Sequence, residues 1–277
     1  MGVSEFLASL FGTKLLTSLF GLLIGFLIGL TGTGSGSLVK PFLILVAGLP
    51  PPTAIGTDLI NATVTKGTGS VQHYRQRSVN LEVAIFLALG SIPASLLGVG
   101  TLELIKATFN AESVNGIMQT LIGVILLLAG VSLIIRSFMP EKWRSKGQFR
   151  DWDGKSSMNF KHRLFTIVLG ATGGYLVGLT SIGAGSVMLV ILLLLYPLAP
   201  AVIVGTDVVH GAVLSLVTGL SHIAHGNVDF GLAGMLLLGS VPGVLVGSLL
   251  APKVPERPLK VILAGMIIFA GVRLLVG

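Results

Sequence analysis

Cysteine is absent from all 277 residues, which excludes disulfides, thiolate chemistry and cysteine metal sites and leaves the redox compartment open. Charge is scarce as well. Asp, Glu, Lys and Arg together make up 10% of the chain, against about 25% in a soluble domain. Hydrophobic residues reach 52% and the mean hydropathy is +0.93. Such a chain is an integral membrane protein with the lipid bilayer as its solvent, and its apolar runs of about 20 residues leave no room for a separate soluble domain. Met1 to Gly12 holds one acid and no basic cluster, so no cleaved signal peptide is read there. The net charge of +7 sits in short loops between apolar runs. Positive-inside orientation explains it without a nucleic-acid partner.

What the chain does have is an internal copy of itself. Residues 25–98 align with residues 174–247 without a gap, at an offset of 149, and 26 of the 74 positions are identical. Many identities fall on glycine, proline or polar residues, where apolar composition alone produces no matches. Gly25, Gly29, Leu30, Thr31, Gly34, Gly36 and Ser37 align with Gly174, Gly178, Leu179, Thr180, Gly183, Gly185 and Ser186. Gly56-Thr57-Asp58 aligns with Gly205-Thr206-Asp207, His73 with His222, Gly90-Ser91 with Gly239-Ser240, and Pro93 with Pro242.

Each half holds five apolar segments, at 6–30, 37–49, 53–73, 80–102 and 114–136, and at 163–181, 186–197, 200–223, 228–250 and 258–276. The second of each set, about a dozen residues or ~18 Å as helix, is too short for a hydrocarbon core of ~30 Å. These two read as half-helices. A glycine-rich stretch precedes each, Gly32 to Ser37 and Ser181 to Ser186, and prolines follow at Pro50-Pro51-Pro52 and at Pro197 and Pro200. Glycine permits non-helical dihedrals and proline lacks an amide donor, so both ends are broken. Irregular backbone at membrane depth survives only inside protein or along a wet cavity.

The loop from Arg136 to Arg163 is basic, as is His73-Tyr74-Arg75-Gln76-Arg77 two spans upstream, which places both on the cytoplasmic side. The second half's counterpart, His222 to Asn227, has no Lys or Arg, and the basic residues appear instead at Lys253, Arg257 and Lys260. The swap favours an odd number of crossings per half and therefore inverted repeats. The expected architecture is an all-α polytopic membrane protein of about eight full spans plus two short or re-entrant half-helices. It comprises an N-terminal repeat at 1–136, a basic cytoplasmic linker at 137–162 and a C-terminal repeat at 163–277. Inverted repeats with broken helices are typical of secondary transporters.

The stretch Gly25-Phe26-Leu27-Ile28-Gly29 through Gly32-Thr33-Gly34-Ser35-Gly36-Ser37, then Pro41 and Leu43, its echo in the second half, and the two Gly-Thr-Asp motifs resemble the sulfite exporter TauE/SafE family of permeases. The resemblance spans essentially the whole chain. It implies a multi-pass protein of a bacterial or archaeal inner membrane that moves sulfite, sulfoacetate or another sulfur-containing or organic anion. The family usually shows adjacent glycines in this loop. Here Thr, Ser or Ala separates them and adds hydroxyls.

Three parts of the repeat are candidates for holding an anion. The first is the pair of half-helix starts, with Gly34, Ser35, Gly36 and Ser37 and with Gly183, Ala184, Gly185 and Ser186, where free amides and hydroxyls suit oxyanion oxygens. The plainer explanation is that small residues allow close helix packing. The second is Thr57, Asp58 and Asn61 with Thr206, Asp207 and His210, which share neighbouring faces of a helical turn. Asp58 and Asp207 are candidates for a coupling proton or Na⁺, for hydrogen bonds that lock the broken helices, or for a first-turn role. The third is basic, Lys66 and Lys40 with His210, against the alternatives of a snorkelling lysine and a core histidine. His73, His222 and His225 lack a carboxylate at metal-ligand spacing, so no metal is assigned. No nucleophile–base pair and no cofactor motif is visible, which argues against an enzyme. The sequence therefore reads as a secondary transporter for a small anion, working by alternating access and coupled to H⁺ or Na⁺. An anion channel using the glycine loops as a filter is the alternative, and whether the protein forms a homodimer stays open.

Overall fold

The computed structural model describes residues 3–31, 35–138, 152, 157–182, 187–250 and 256–276, which are helical with short connections and contain no strand. The helices are α1 (Val3–Thr31), α2 (Val39–Leu45), α3 (Pro51–Arg75), α4 (Leu81–Thr108), α5 (Ala111–Phe138), α6 (Phe160–Thr180), α7 (Val187–Leu195), α8 (Pro200–Ala224), α9 (Phe230–Leu250) and α10 (Glu256–Val276). A single 3₁₀ turn, Ser35–Ser37, leads into α2. These match the ten expected segments. The short ones are shorter still, with seven residues in α2 and nine in α7, or about 10 and 14 Å.

Among the described residues, five helices are long and apolar enough to cross a membrane by length and composition: Leu81–Thr108, Ala111–Ile135, Phe160–Thr180, Ala201–Ala224 and Phe230–Leu250, with shorter apolar stretches at Leu15–Leu30 and Val261–Val276. The helix α3 is equally long but carries Asp58, Asn61, Lys66 and Arg75. Polarity is arranged inside out. Thr57, Asp58, Asn61, Thr65 and Lys66 of α3, and Thr206, Asp207, His210, Ser215, Thr218 and His222 of α8, are all buried. Large apolar side chains such as Leu19, Leu97, Leu128, Val168, Leu238 and Phe269 point outward instead, the arrangement lipid demands.

The two halves interlock. The helix α1 packs on α9, α6 on α4, α3 on α8 and α5 on α10. Glycines set the first two contacts. A Cβ on Gly21, Gly25 or Gly29 would run into the backbone of Leu236, Ser240 or Val244, and one on Gly170, Gly174 or Gly178 into that of Leu87, Ser91 or Ser95. The two sets differ by the repeat offset on both sides, and in each the helices run parallel. This is the small-residue packing seen between membrane helices. It accounts for part of the glycine repeat without any ligand. In the other two contacts equivalent helices meet each other and run antiparallel: Gly69 of α3 sits against Val208 of α8 and Gly219 against Ile60, while Gly123 of α5 meets Gly271 and Gly130 meets Ala264.

Each half also grips the other's connecting loop. A Cβ on Gly56 would strike the carbonyl of Asn227, and the Thr57 hydroxyl accepts a hydrogen bond from the Asp229 amide at 3.0 Å. In the matching clamp Gly205 abuts the carbonyl of Ser78 and the Thr206 hydroxyl accepts from the Asn80 amide at 2.9 Å. The gripped loops turn at equivalent left-handed residues, Arg77 (φ 53°) and Gly226 (φ 70°), the usual conformation beyond a helix C-terminus. The linker contributes to packing too. Trp152 is buried edge-on to Tyr196, with ring centroids 6.2 Å apart, and the Met158 amide donates to Glu82 at 3.0 Å.

Candidate functional site

The candidate site lies where α3 and α8 cross beside the ends of the broken helices. Gly36, Leu59, Ala62 and Lys66 of the first half and Val177, Ser181, Gly211, Leu214 and Ser215 of the second line a small cavity there. It has room for about one water molecule.

Lys66 is 8% exposed and reaches across from α3 to α8. A Cβ on Gly211 would collide with its Nζ and stand 3.1 Å from its Cδ, so the missing side chain at 211 is what houses the lysine. The repeat equivalents of Ala62 and Lys66 are Gly211 and Ser215, so the cavity is lined by aligned pairs that have diverged in size and charge.

Behind the cavity stands a buried polar network. The 3₁₀ turn and α2 present Lys40, α3 presents Asp58, and α6 ends at Ser181, whose φ of 51° turns the chain out of the helix. Lys40 Nζ donates to the carbonyl of Thr180 and, at 2.8 Å, to Ser181 Oγ. Ser181 Oγ donates to Asp58 Oδ2 at 2.5 Å, and the Lys40–Asp58 ion pair measures 3.9 Å. Both charged side chains are fully buried. Taking the pair out of water costs several kcal/mol per ion unless hydrogen bonds compensate, as they do here. Gly36 closes the network from one side, its bare Cα leaving 2.7 Å between a Cβ position and the Ser181 carbonyl.

The remaining expected residues fall into two groups. Asn61 and His210, equivalent in the repeat, both bind serines of the opposite half: Asn61 Oδ1 accepts from Ser240 Oγ at 2.6 Å, and His210 Nε2 lies 2.8 Å from Ser91 Oγ. These serines sit two residues before Pro93 and Pro242, inside α4 and α9. Asn61 Nδ2 and His210 Nδ1 have no hydrogen-bond partner among the described residues. The Thr57 and Thr206 hydroxyls are taken up by the loop clamps. Ser37 is buried at the start of α2. Gly34, Gly183, Ala184, Gly185 and Ser186 lie outside the described residues, as does the side chain of Ser35. Asp207 is buried, but the positions that would give it counterparts of Lys40 and Ser181 are Leu189 and Gly32. No cluster of three or more His, Asp or Glu able to hold a metal occurs among the described residues.

The sequence reading did not single out Ser181 within its loop, nor Gly211, Ser215, Ser91 and Ser240. Ser91/Ser240 carried a signal, as an identity close to an aligned proline, whereas Gly32/Ser181, Ala62/Gly211 and Lys66/Ser215 are three among many positions at which the repeats differ.

A family model described as sulfite exporter TauE/SafE matches residues 17–274. A probable membrane transporter protein of Bacillus subtilis, YjnA, is 39% identical over 258 residues, covering 93% of this chain and 98% of that protein. Another from the same organism, YdhB, is 25% identical over 238 residues (86% and 90%), and one from Xylella fastidiosa is 25% identical over 234 residues (84% and 83%). No solved structure matches the chain.

Proposed function

The chain belongs to the sulfite exporter TauE/SafE family, and from that premise we propose that this membrane transporter carries a small oxyanion, sulfite or an organosulfur anion, by alternating access between two inverted halves. It is a multi-pass protein of the bacterial inner membrane, not an enzyme. The observation that carries the proposal is Lys66, a buried ammonium held over Gly211 in a cavity whose walls come from both halves. A cation at membrane depth marks a substrate or ion path by default. Beside it stand Ser181 and Ser215, whose hydroxyls donate to Asp58 and to the Ala212 carbonyl, while the rest of the wall includes the apolar Leu59, Val177 and Leu214.

Inversion is supported by the helix directions. If a two-fold relation exchanges α3 with α8 and these run antiparallel, its axis is perpendicular to them and lies in the membrane plane. The swap of basic loops between the halves points the same way, with linker 137–162 on the cytoplasmic side. On this reading eight helices span the bilayer, while α2 and α7 are half-helices at the core. The two clamps, Gly56-Thr57 on 227–229 and Gly205-Thr206 on 78–80, then stand at opposite ends of the α3–α8 pair. They are the places where the path opens alternately, with Asp58 and Asp207 candidates for holding the coupling H⁺ or Na⁺.

The test is uptake by purified protein in liposomes, measured against sulfite concentration and in competition with thiosulfate, sulfate, sulfoacetate, taurine and short carboxylates. A carrier saturates and is competed by the anions it carries. Flux that rises linearly without limit is the mark of a channel and overturns the proposal.

A further inference from the structure

Lys40, Ser181 and Asp58 form a site for an anion that already contains one. The ammonium of Lys40 and the hydroxyl of Ser181 are the donors an oxyanion needs, and in this structure the acceptor oxygen belongs to the protein, Asp58 Oδ2. Its neighbours fit the purpose. Ser181 and Gly36 both line the cavity that holds Lys66, so the network and the cavity share a wall. Gly36 carries no side chain between them, and a Cβ there would stand 3.4 Å from Asp58 Oδ2.

We propose that the Asp58 carboxylate is a placeholder for the transported anion, and that a proton on Asp58 releases Lys40 and Ser181 to bind the anion in its stead. This rests on the transport reading above and specifies its coupling and substrate class. The charge of the site is the same at each stage. With the site closed, Lys40 (+1), Lys66 (+1) and Asp58 (−1) sum to +1, and with a singly charged oxyanion bound the two lysines, the anion (−1) and a protonated Asp58 again sum to +1, so the exchange adds no buried charge. The anion takes the place of one carboxylate, so the substrate class is a small monoanion, hydrogensulfite or a sulfonate, carried with one proton.

The surroundings of Asp58 supply few other charges. Among the helices that pack on α3, α9 carries no ionisable residue, α5 carries Glu112 and Arg136 at its ends, and the Lys161, His162 and Arg163 of α6 lie at the end opposite Ser181. The helix α8 contributes Asp207, His210 and His222, and α3 itself adds Lys66, His73 and Arg75 farther along. The cation in register with Asp58 is Lys40. The sequence equivalents of Lys40 and Ser181 are Leu189 and Gly32, so the repeat does not duplicate the lysine and the serine of this network.

The probe is methanesulfonate, which stays a monoanion at any working pH, so any proton that moves belongs to the protein. Wild-type protein in liposomes should take up methanesulfonate with one proton each, read by a trapped pH dye. An inward gradient of one pH unit should accumulate it up to about tenfold. Asp58→Asn should retain exchange of labelled for unlabelled methanesulfonate yet lose uphill accumulation, because an amide takes no proton. Ser181→Ala should weaken methanesulfonate binding several-fold while keeping the proton movement. Saturable uptake with no proton movement, or uphill accumulation by Asp58→Asn, overturns the inference and leaves the carrier intact. Absence of flux for both methanesulfonate and sulfite overturns the carrier reading and the inference together. Should Asp58→Asn fail to fold, the wild-type dye measurement decides alone.

Discussion

Asp58 and Asp207 stand at the same position of the two halves, eight residues into equivalent helices, and have different surroundings. Asp58 receives the Ser181 hydroxyl and faces Lys40, whereas the positions that would serve Asp207 hold Gly32 and Leu189. The residue just before each shows the opposite behaviour. Thr57 and Thr206 grip loops in the same manner, and the glycines of α1 and α6 seat equivalent backbones of α9 and α4. Symmetric positions hold the halves together, and two asymmetric pairs, 62/211 and 66/215, line the cavity.

That division can be broken most forcefully at the helix contacts. Gly25→Leu and Gly174→Leu each push a side chain into a serine backbone, and both should cost several kcal/mol and abolish recovery of folded protein from detergent. Unequal outcomes for the two would mean the scaffold is less symmetric than its contacts. Next comes the network. Lys40→Leu installs the second half's residue and strands Asp58, at a cost of roughly 3–5 kcal/mol. Pairing it with Asp58→Asn should recover most of the loss, which a thermal-melting double-mutant cycle would register, and strict additivity would count against a coupled pair. Gentlest are the clamps. Thr57→Val and Thr206→Val each leave one loop amide without its acceptor, and a shift of about 1–3 kcal/mol, similar on both sides, is expected in the same melting assay.

The repeat, the ten segments and the two short helices were legible in the sequence because hydropathy and helix-breaking residues are local signals. The sequence leaves the burial of Asp58 and Lys66 open, against a first-turn role and a snorkelling lysine, and the structure buries both. Two things were not legible. The role of the Gly-Thr pairs was hidden because their partners, Asn227–Asp229 and Ser78–Asn80, lie about 170 and 130 residues away in the opposite half. The pairing of Lys40 with Asp58 was hidden for a related reason: it passes through Ser181, which belongs to the other half's first broken helix. That Gly25, Gly29, Gly174 and Gly178 of α1 and α6 seat a neighbouring backbone shows only once the facing helix is in place.

The most direct test of a carrier whose site lies between the halves is sulfite uptake by liposomes containing wild-type protein, Lys66→Met or Lys66→Arg. The account predicts saturable wild-type uptake, a loss of at least about tenfold at low sulfite for Lys66→Met, equivalent to about 1.4 kcal/mol, and partial recovery with Lys66→Arg. Wild-type flux that never saturates, or folded Lys66→Met that transports as wild type, would contradict it.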